Sequence, residues 1–218
     1  MARPIPTEQI TLQGHAGKID ALLDQPKEAK GIALVCHPHP LYDGANTNKV
    51  AFTLARAFRD LGYVVIRPNF RGVGESEGEH DKGQGETDDM LSVIAWAQQN
   101  WGTLPLALGG FSFGSYVQTR VAEHLAESPT PAERIVLVGT VAGTSADGEY
   151  FYEPPALPEN VSSLLIHGEK DDTALLENAF RWAEPQQHPV VVVPGADHFF
   201  HARLHIIRQI ISGFWTKL

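Results

Sequence analysis

Six short apolar runs limit what this chain can fold into: Ile32 to Cys36, Tyr63 to Arg67, Leu106 to Gly110, Ile135 to Val138, Leu164 to His167 and Val190 to Val193. Runs of this length, rich in β-branched residues and leucine and without polar alternation, read as strands buried on both faces. That is the mark of a parallel sheet covered by helices. Segments of helical period lie between them. Val50, Leu54, Phe58 and Leu61 recur at three- and four-residue steps before a stop at Gly62, and Leu204, Ile207, Ile211 and Phe214 do the same near the C-terminus. Met90, Val93, Ile94 and Ala97 mark a third helix, behind Glu86, Asp88 and Asp89, whose charges suit a helix N-terminus. Two alternating runs, Gln9 to Leu12 and Lys18 to Leu23, precede all of these and read as an antiparallel pair. The alternation predicts an α/β fold with a doubly wound sheet and that pair at one edge. With no internal repeat and no linker, residues 1–218 are expected to form one domain. The longest unpatterned stretches are 69–85 and 139–161.

Charge narrows the partners. The chain carries 17 Lys and Arg against 26 Asp and Glu, a net −9, with no basic block, which removes the electrostatic footprint that nucleic acid or anionic lipid requires. No apolar run approaches the roughly 18 residues that span a bilayer, and the start, Met1 to Gln9, lacks the pattern of a signal peptide. A cytoplasmic protein without nucleic-acid or membrane partners is expected. Cys36 is the single cysteine, so no intrachain disulfide forms, and its place at the end of a buried run reads as core rather than nucleophile.

Ligands of such sheets bind beyond the carboxyl ends of the strands. Directly after the run ending at Gly110 stands Gly110-Phe111-Ser112-Phe113-Gly114, followed by a helical segment through Val117, Val121 and Leu125. A serine forced onto a sharp strand-to-helix turn needs small residues two before and two after it. The same turn leaves the Phe113 N–H as an unpaired donor at a positive helix end, where it can hold an oxyanion. Serine at its free pKa is a poor nucleophile, so a histidine base and an acid must come from other strand ends. His198 follows the last strand run, and Asp171 follows the run before it, in the order Ser112, Asp171, His198. Asp172, next in sequence, and Asp147, after the preceding run, are rival acids.

These motifs together resemble the α/β-hydrolase superfamily over residues 5–218. The Gly-x-Ser-x-Gly turn, the step from Gly168 to Asp171 and the step from Gly195 to His198 stand where that family has its nucleophile, acid and base. Arg71-Gly72-Val73-Gly74-Glu75-Ser76 looks like its RGxGxS loop. His37-Pro38-His39-Pro40 resembles the HPHP signature of small, capless, dienelactone-hydrolase-like bacterial members. The resemblance implies a three-layer α/β/α sandwich on a mostly parallel eight-stranded sheet, without a cap domain. It also implies a serine hydrolase acting through an acyl-enzyme on a small carboxylic ester or thioester, with amides or peptides as an alternative and a non-catalytic binding protein as another. The second oxyanion donor is expected from the loop 37–44. Proline has no N–H, so His39, Leu41 and Tyr42 remain, and the family's His-Gly-x pattern aligns its x with His39. Tyr42, Arg71 and Tyr150 are the residues expected to touch substrate.

Other patterns carry blander readings. His198, His201 and His205 lack a metalloprotease glutamate or a cysteine partner, so no metal is expected. The glycine-rich run from Gly72 to Gly78 has its last glycine one place late for a dinucleotide site, and Glu75 and Glu77 would repel a pyrophosphate, so no cofactor is expected. His15, His80, His124 and His188 read as surface residues. Phe214, Trp215 and Leu218 form an apolar end that suits packing within the chain or against a second copy, which leaves the oligomeric state open.

Overall fold

A computed structural model describes residues 6–145 and 147–215. Strands β1 (Thr7–Gln13) and β2 (Lys18–Asp24) form the antiparallel pair. They are followed by β3 (Gly31–Cys36), α1 (Lys49–Asp60), β4 (Tyr63–Pro68), α2 (Gln84–Trp101), β5 (Leu106–Phe111), α3 (Phe113–Leu125) and β6 (Ala132–Val138). A short hairpin of β7 (Gly143–Thr144) and β8 (Phe151–Tyr152) precedes β9 (Ser162–Gly168), α4 (Leu176–Ala183), β10 (Val190–Val193) and α5 (Leu204–Trp215). The main sheet has eight strands in the order β1-β2-β4-β3-β5-β6-β9-β10, with antiparallel pairing only where β2 meets β1 and β4.

Side chains alternate across this sheet and divide the core in two. Ile32, Leu34 and Cys36 of β3 join Met90, Val93, Val117 and Val121 of α2 and α3 on one face. Ala33 and Val35 join Leu54, Phe58, Ile207 and Ile211 of α1 and α5 on the other. The result is the three-layer α/β/α sandwich. Asn48 starts α1 by accepting from Val50 N at 2.9 Å and Ala51 N at 3.3 Å, and Gly62 ends it at φ 90°. Trp215 packs back on the chain, with its Nε1 donating to the Tyr63 hydroxyl at 3.2 Å, whereas Leu218 and Met1 to Ile5 lie outside the described residues.

Two features depart from the sequence expectation. Val190 to Val193 is an edge strand paired only with β9, and Val191 remains exposed, so its apolar run is not buried on both faces. The stretch 139–161 also holds the β7–β8 hairpin, in which Gly143 pairs with Tyr152 and Thr144 with Phe151. Among the described residues no helix is long and apolar enough to cross a membrane.

Candidate active site

The turn from β5 into α3 holds Ser112 at φ 55°, ψ −122°. L-residues rarely adopt this region, and it is tolerated only where the surroundings impose it. Here they do. A Cβ on Gly110 would meet the Gly114 carbonyl oxygen at 2.4 Å, and one on Gly114 would meet the Cys36 and His37 carbonyl oxygens at 2.5 Å. Both glycines are therefore required by close approach, which presses the start of α3 against the end of β3. Ser112 N donates to Val138 O at 2.9 Å, and Ser112 O accepts from Ser115 N at 2.8 Å. Although Ser112 occupies the cap position of α3, its hydroxyl makes no capping bond and points to His198 instead.

His198 lies in the loop between β10 and α5, packed against Phe111 and Phe199 at ring separations of 4.9 and 5.1 Å. Its Nε2 is 3.0 Å from Ser112 Oγ and its Nδ1 is 2.8 Å from Asp171 Oδ2. Asp171 is fixed in turn. Its Oδ1 accepts from Ala174 N at 2.8 Å and Thr173 N at 3.1 Å, and His167 Nε2 stands 3.4 Å from its Oδ2. Burial holds the His167 imidazole below its ordinary pKa, and its Nε2 donates to Ala174 O at 2.7 Å. Of the three acids considered from sequence, Asp171 is the one bonded to His198. Asp172 is exposed and its Oδ1 accepts from Thr173 Oγ1 at 3.4 Å. Asp147 sits on the hairpin turn, where the Ser145 hydroxyl and then the Glu149 N–H hold it below the usual carboxylate range.

The loop after β3 distinguishes the oxyanion donors. Leu41 N donates to His39 Nδ1 at 3.2 Å, and Tyr42 N donates to His39 O at 3.1 Å, so both amides are committed within the loop. The expectation for Leu41 is corrected on this ground: its side chain is exposed and its N–H faces the His39 ring. Of the three, the His39 amide is the one not committed in this way, and the Phe113 amide lies in the first turn of α3, where no intrahelical acceptor exists. The two side chains pack together, with ring centroids 4.9 Å apart. Burial and then His80 push the His39 imidazole down to about 4, and its ring stands 4.9 Å from Tyr150 and 5.0 Å from Tyr42.

A cavity of about 260 Å³ opens beside Ser112. Tyr42, Phe113, Val141, Ala142, Tyr150, Tyr152 and Leu175 give it apolar walls, and Asp147 and Asp172 stand among its lining residues without a Lys or Arg. Tyr42 and Tyr150 are thus part of its wall. Arg71 is not, which corrects that expectation: its Nε bonds Asp89 Oδ2 at 2.9 Å and its Nη2 donates to Gly85 O at 2.8 Å, so its fork grips α2. His80 is likewise no surface residue. Its ring lies 5.3 Å from Phe113 and its Nδ1 2.9 Å from Glu86 Oε1, because the loop 69–83 folds back over the elbow.

Sequence reasoning did not foresee the part played by His37. Its Nδ1 donates to Pro38 O at 2.7 Å and its Nε2 accepts from Phe70 N at 2.9 Å, tying the loop that carries His39 to the end of β4. The signal lay in the HPHP motif itself, since a polar ring after a buried strand must find partners. Burial raises the Cys36 thiol far above its ordinary pKa, as a core cysteine requires. Among the described residues no group of three or more His, Cys, Asp or Glu is placed to hold a metal ion.

Comparison with known proteins places this arrangement. Residues 17–161 match the family described as X-Pro dipeptidyl-peptidase (S15 family). A lidless α/β serine hydrolase from Xanthomonas campestris, XC6422, is 33% identical, superimposes with a TM-score of 0.81, and is covered over 98% of this chain and 95% of that one. The uncharacterised protein RP471 of Rickettsia prowazekii is 29% identical over 215 residues, which is 94% of this chain and 87% of the relative. The Pyrococcus furiosus esterase Pf2001, at 15% identity and a TM-score of 0.76 over 98% of this chain and 91% of its own, shares the fold. With a family match over most of its sheet and a lidless relative along nearly its whole length, the chain belongs to the S15 family of the α/β-hydrolase superfamily.

Proposed function

We propose that the protein is a serine esterase acting on small, uncharged or cationic acyl esters, with Ser112 as nucleophile, His198 as general base and Asp171 as the residue that orients it. The observation carrying this reading is the unbroken hydrogen-bond chain from Asp171 through His198 to Ser112, ending beside an apolar cavity. As Ser112 Oγ attacks the carbonyl carbon, His198 Nε2 takes its proton, and the Asp171 carboxylate stabilises the imidazolium through Nδ1–H. The carbonyl electron pair moves onto oxygen, where the Phe113 and His39 amides donate to it. Collapse breaks the bond to the leaving alkoxide, which takes the proton from Nε2. Water, deprotonated by the same nitrogen, then releases the acid from the acyl-enzyme.

The leaving oxygen must lie near His198 Nε2 to be protonated. His39, Phe113 and Ser112 line the 260 Å³ cavity and His198 does not, so the acyl group takes the cavity and the alcohol departs on the His198 side. Steady-state kinetics on 4-nitrophenyl acetate and butanoate, with an X-Pro amide alongside because of the family match, test the assignment. Esters are expected to turn over much faster than the amide. Asp171→Asn is expected to lower kcat by about three to four orders of magnitude, as when an orienting acid is lost, while Asp172→Asn keeps it within a few-fold. Equal losses in the two variants would overturn the choice of acid, and full turnover in Ser112→Ala would overturn the mechanism.

A further inference from the structure

A second cavity, of about 500 Å³, lies beyond the hairpin and shares Phe113, Tyr150 and Tyr152 with the cavity beside Ser112. These three rings form the partition. Two of them are built in: Phe113 is 1% exposed in the first turn of α3, and Tyr152 is 7% exposed in β8, edge-on to Tyr116 at 5.3 Å. Tyr150 is different. It closes the hairpin turn, with its N–H on Ser145 Oγ at 2.9 Å and its carbonyl accepting from Ser145 N at 2.8 Å, and its half-buried ring stands against His39 and Tyr42. The Tyr42 hydroxyl donates across the gap to Glu149 Oε2 at 2.9 Å, which pins the hairpin tip to the loop carrying the His39 amide. The ring is therefore held in the partition by contacts with neighbouring side chains.

We infer that Tyr150 sets the length of acyl chain the site accepts, by closing the cavity beside Ser112 from the larger one behind it; this rests on the esterase reading and on the acyl group entering the smaller cavity. A benzene molecule fills an apolar cavity of about 150 Å³, so 260 Å³ takes little more than one phenyl-sized group before meeting Tyr150. Truncation of that ring joins the two spaces and lets a long chain run on along Phe113 and Phe151, past His80, Lys82 and Glu149, which share the lining of the larger one.

The test compares kcat/KM for 4-nitrophenyl decanoate and butanoate. The unaltered chain is expected to prefer butanoate, and a preference for decanoate there would overturn the inference. Tyr150→Ala is expected to raise the decanoate-to-butanoate ratio on the order of tenfold or more, the scale on which pocket methylenes discriminate. Tyr150→Phe keeps the ring and is expected to keep the ratio. If the alanine variant does not fold, Tyr150→Leu, which retains an apolar side chain against His39, is read in its place with the same direction of change. An unmoved or lowered ratio in a folded, active variant overturns the inference alone. Failure of the unaltered chain to hydrolyse either ester overturns the esterase reading and the inference together.

Discussion

Ser112 is held at a positive φ by the packing of Gly110 and Gly114, and the cost of that conformation falls on a residue whose hydroxyl serves His198 rather than the helix it caps. Glycine occupies this region without the Cβ penalty, which is on the order of 1–3 kcal/mol. Ser112→Gly is therefore expected to be inactive yet more stable than Ser112→Ala by about 1 kcal/mol, measured as the difference in urea unfolding free energy; an alanine variant as stable as the glycine one would contradict the strain. His37 supplies a second residue-scale prediction. Burial pushes its pKa down to about 4 from the ordinary 6.5, so the unfolded chain takes up the proton first. Stability is then intact above pH 6.5 and falls as pH drops from 6.5 to about 4, by about 3 kcal/mol from this group. His37→Gln, which can still accept from Phe70 N–H, is expected to flatten that slope in denaturation curves taken across the range. At this scale Ser112, Asp171 and His198 were legible in the sequence because a strand end fixes where each side chain emerges. Arg71 and Leu41 were not, because whether a polar group faces a ligand or a neighbouring element is settled by packing from far along the chain, here α2 for Arg71.

Helix α2 is joined to two other elements through Asp89. Its Oδ2 accepts from Arg71 Nε in the loop after β4, and its Oδ1 accepts from His15 N at 2.9 Å in the turn between β1 and β2. The pair is largely buried, with side-chain exposures of 11% and 3%, and removing one partner of such a pair leaves an uncompensated charge costing about 3–5 kcal/mol. Asp89→Ala is expected to lower the Tm by several degrees while kcat/KM per folded molecule stays unchanged, since neither Arg71 nor Asp89 lines the cavity. A raised KM would instead return Arg71 to the substrate. The strands β3, β4, β5, β6, β9 and β10 were readable from their apolar runs, β1 and β2 from their alternation, and α1, α2 and α5 from their period. The β7–β8 hairpin was not, because two-residue strands carry no periodicity. Helix α4 was missed for a related reason: its buried residues are Ala179 and Ala183, too small to stand out against its exposed face.

Across the whole molecule, the net charge of −9 and the acidic lining of the cavity act in the same direction. A monoanionic acyl ester is expected to turn over more slowly than its neutral isostere at low salt. The gap should narrow as ionic strength rises from about 10 mM to about 150 mM and the Debye length shortens from about 30 Å to about 8 Å. A salt-independent ratio would mean that Asp147 and Asp172 do not face the substrate. The fold brings Ser112, His198 and Asp171 together, and the activation of the nucleophile that this arrangement predicts can be tested without presuming a substrate. The protein is treated with a fluorophosphonate at neutral pH and the adduct is mapped by peptide mass. Labelling at Ser112 that disappears in His198→Ala is the predicted result; a folded protein left unlabelled, or labelled equally well without His198, would contradict it.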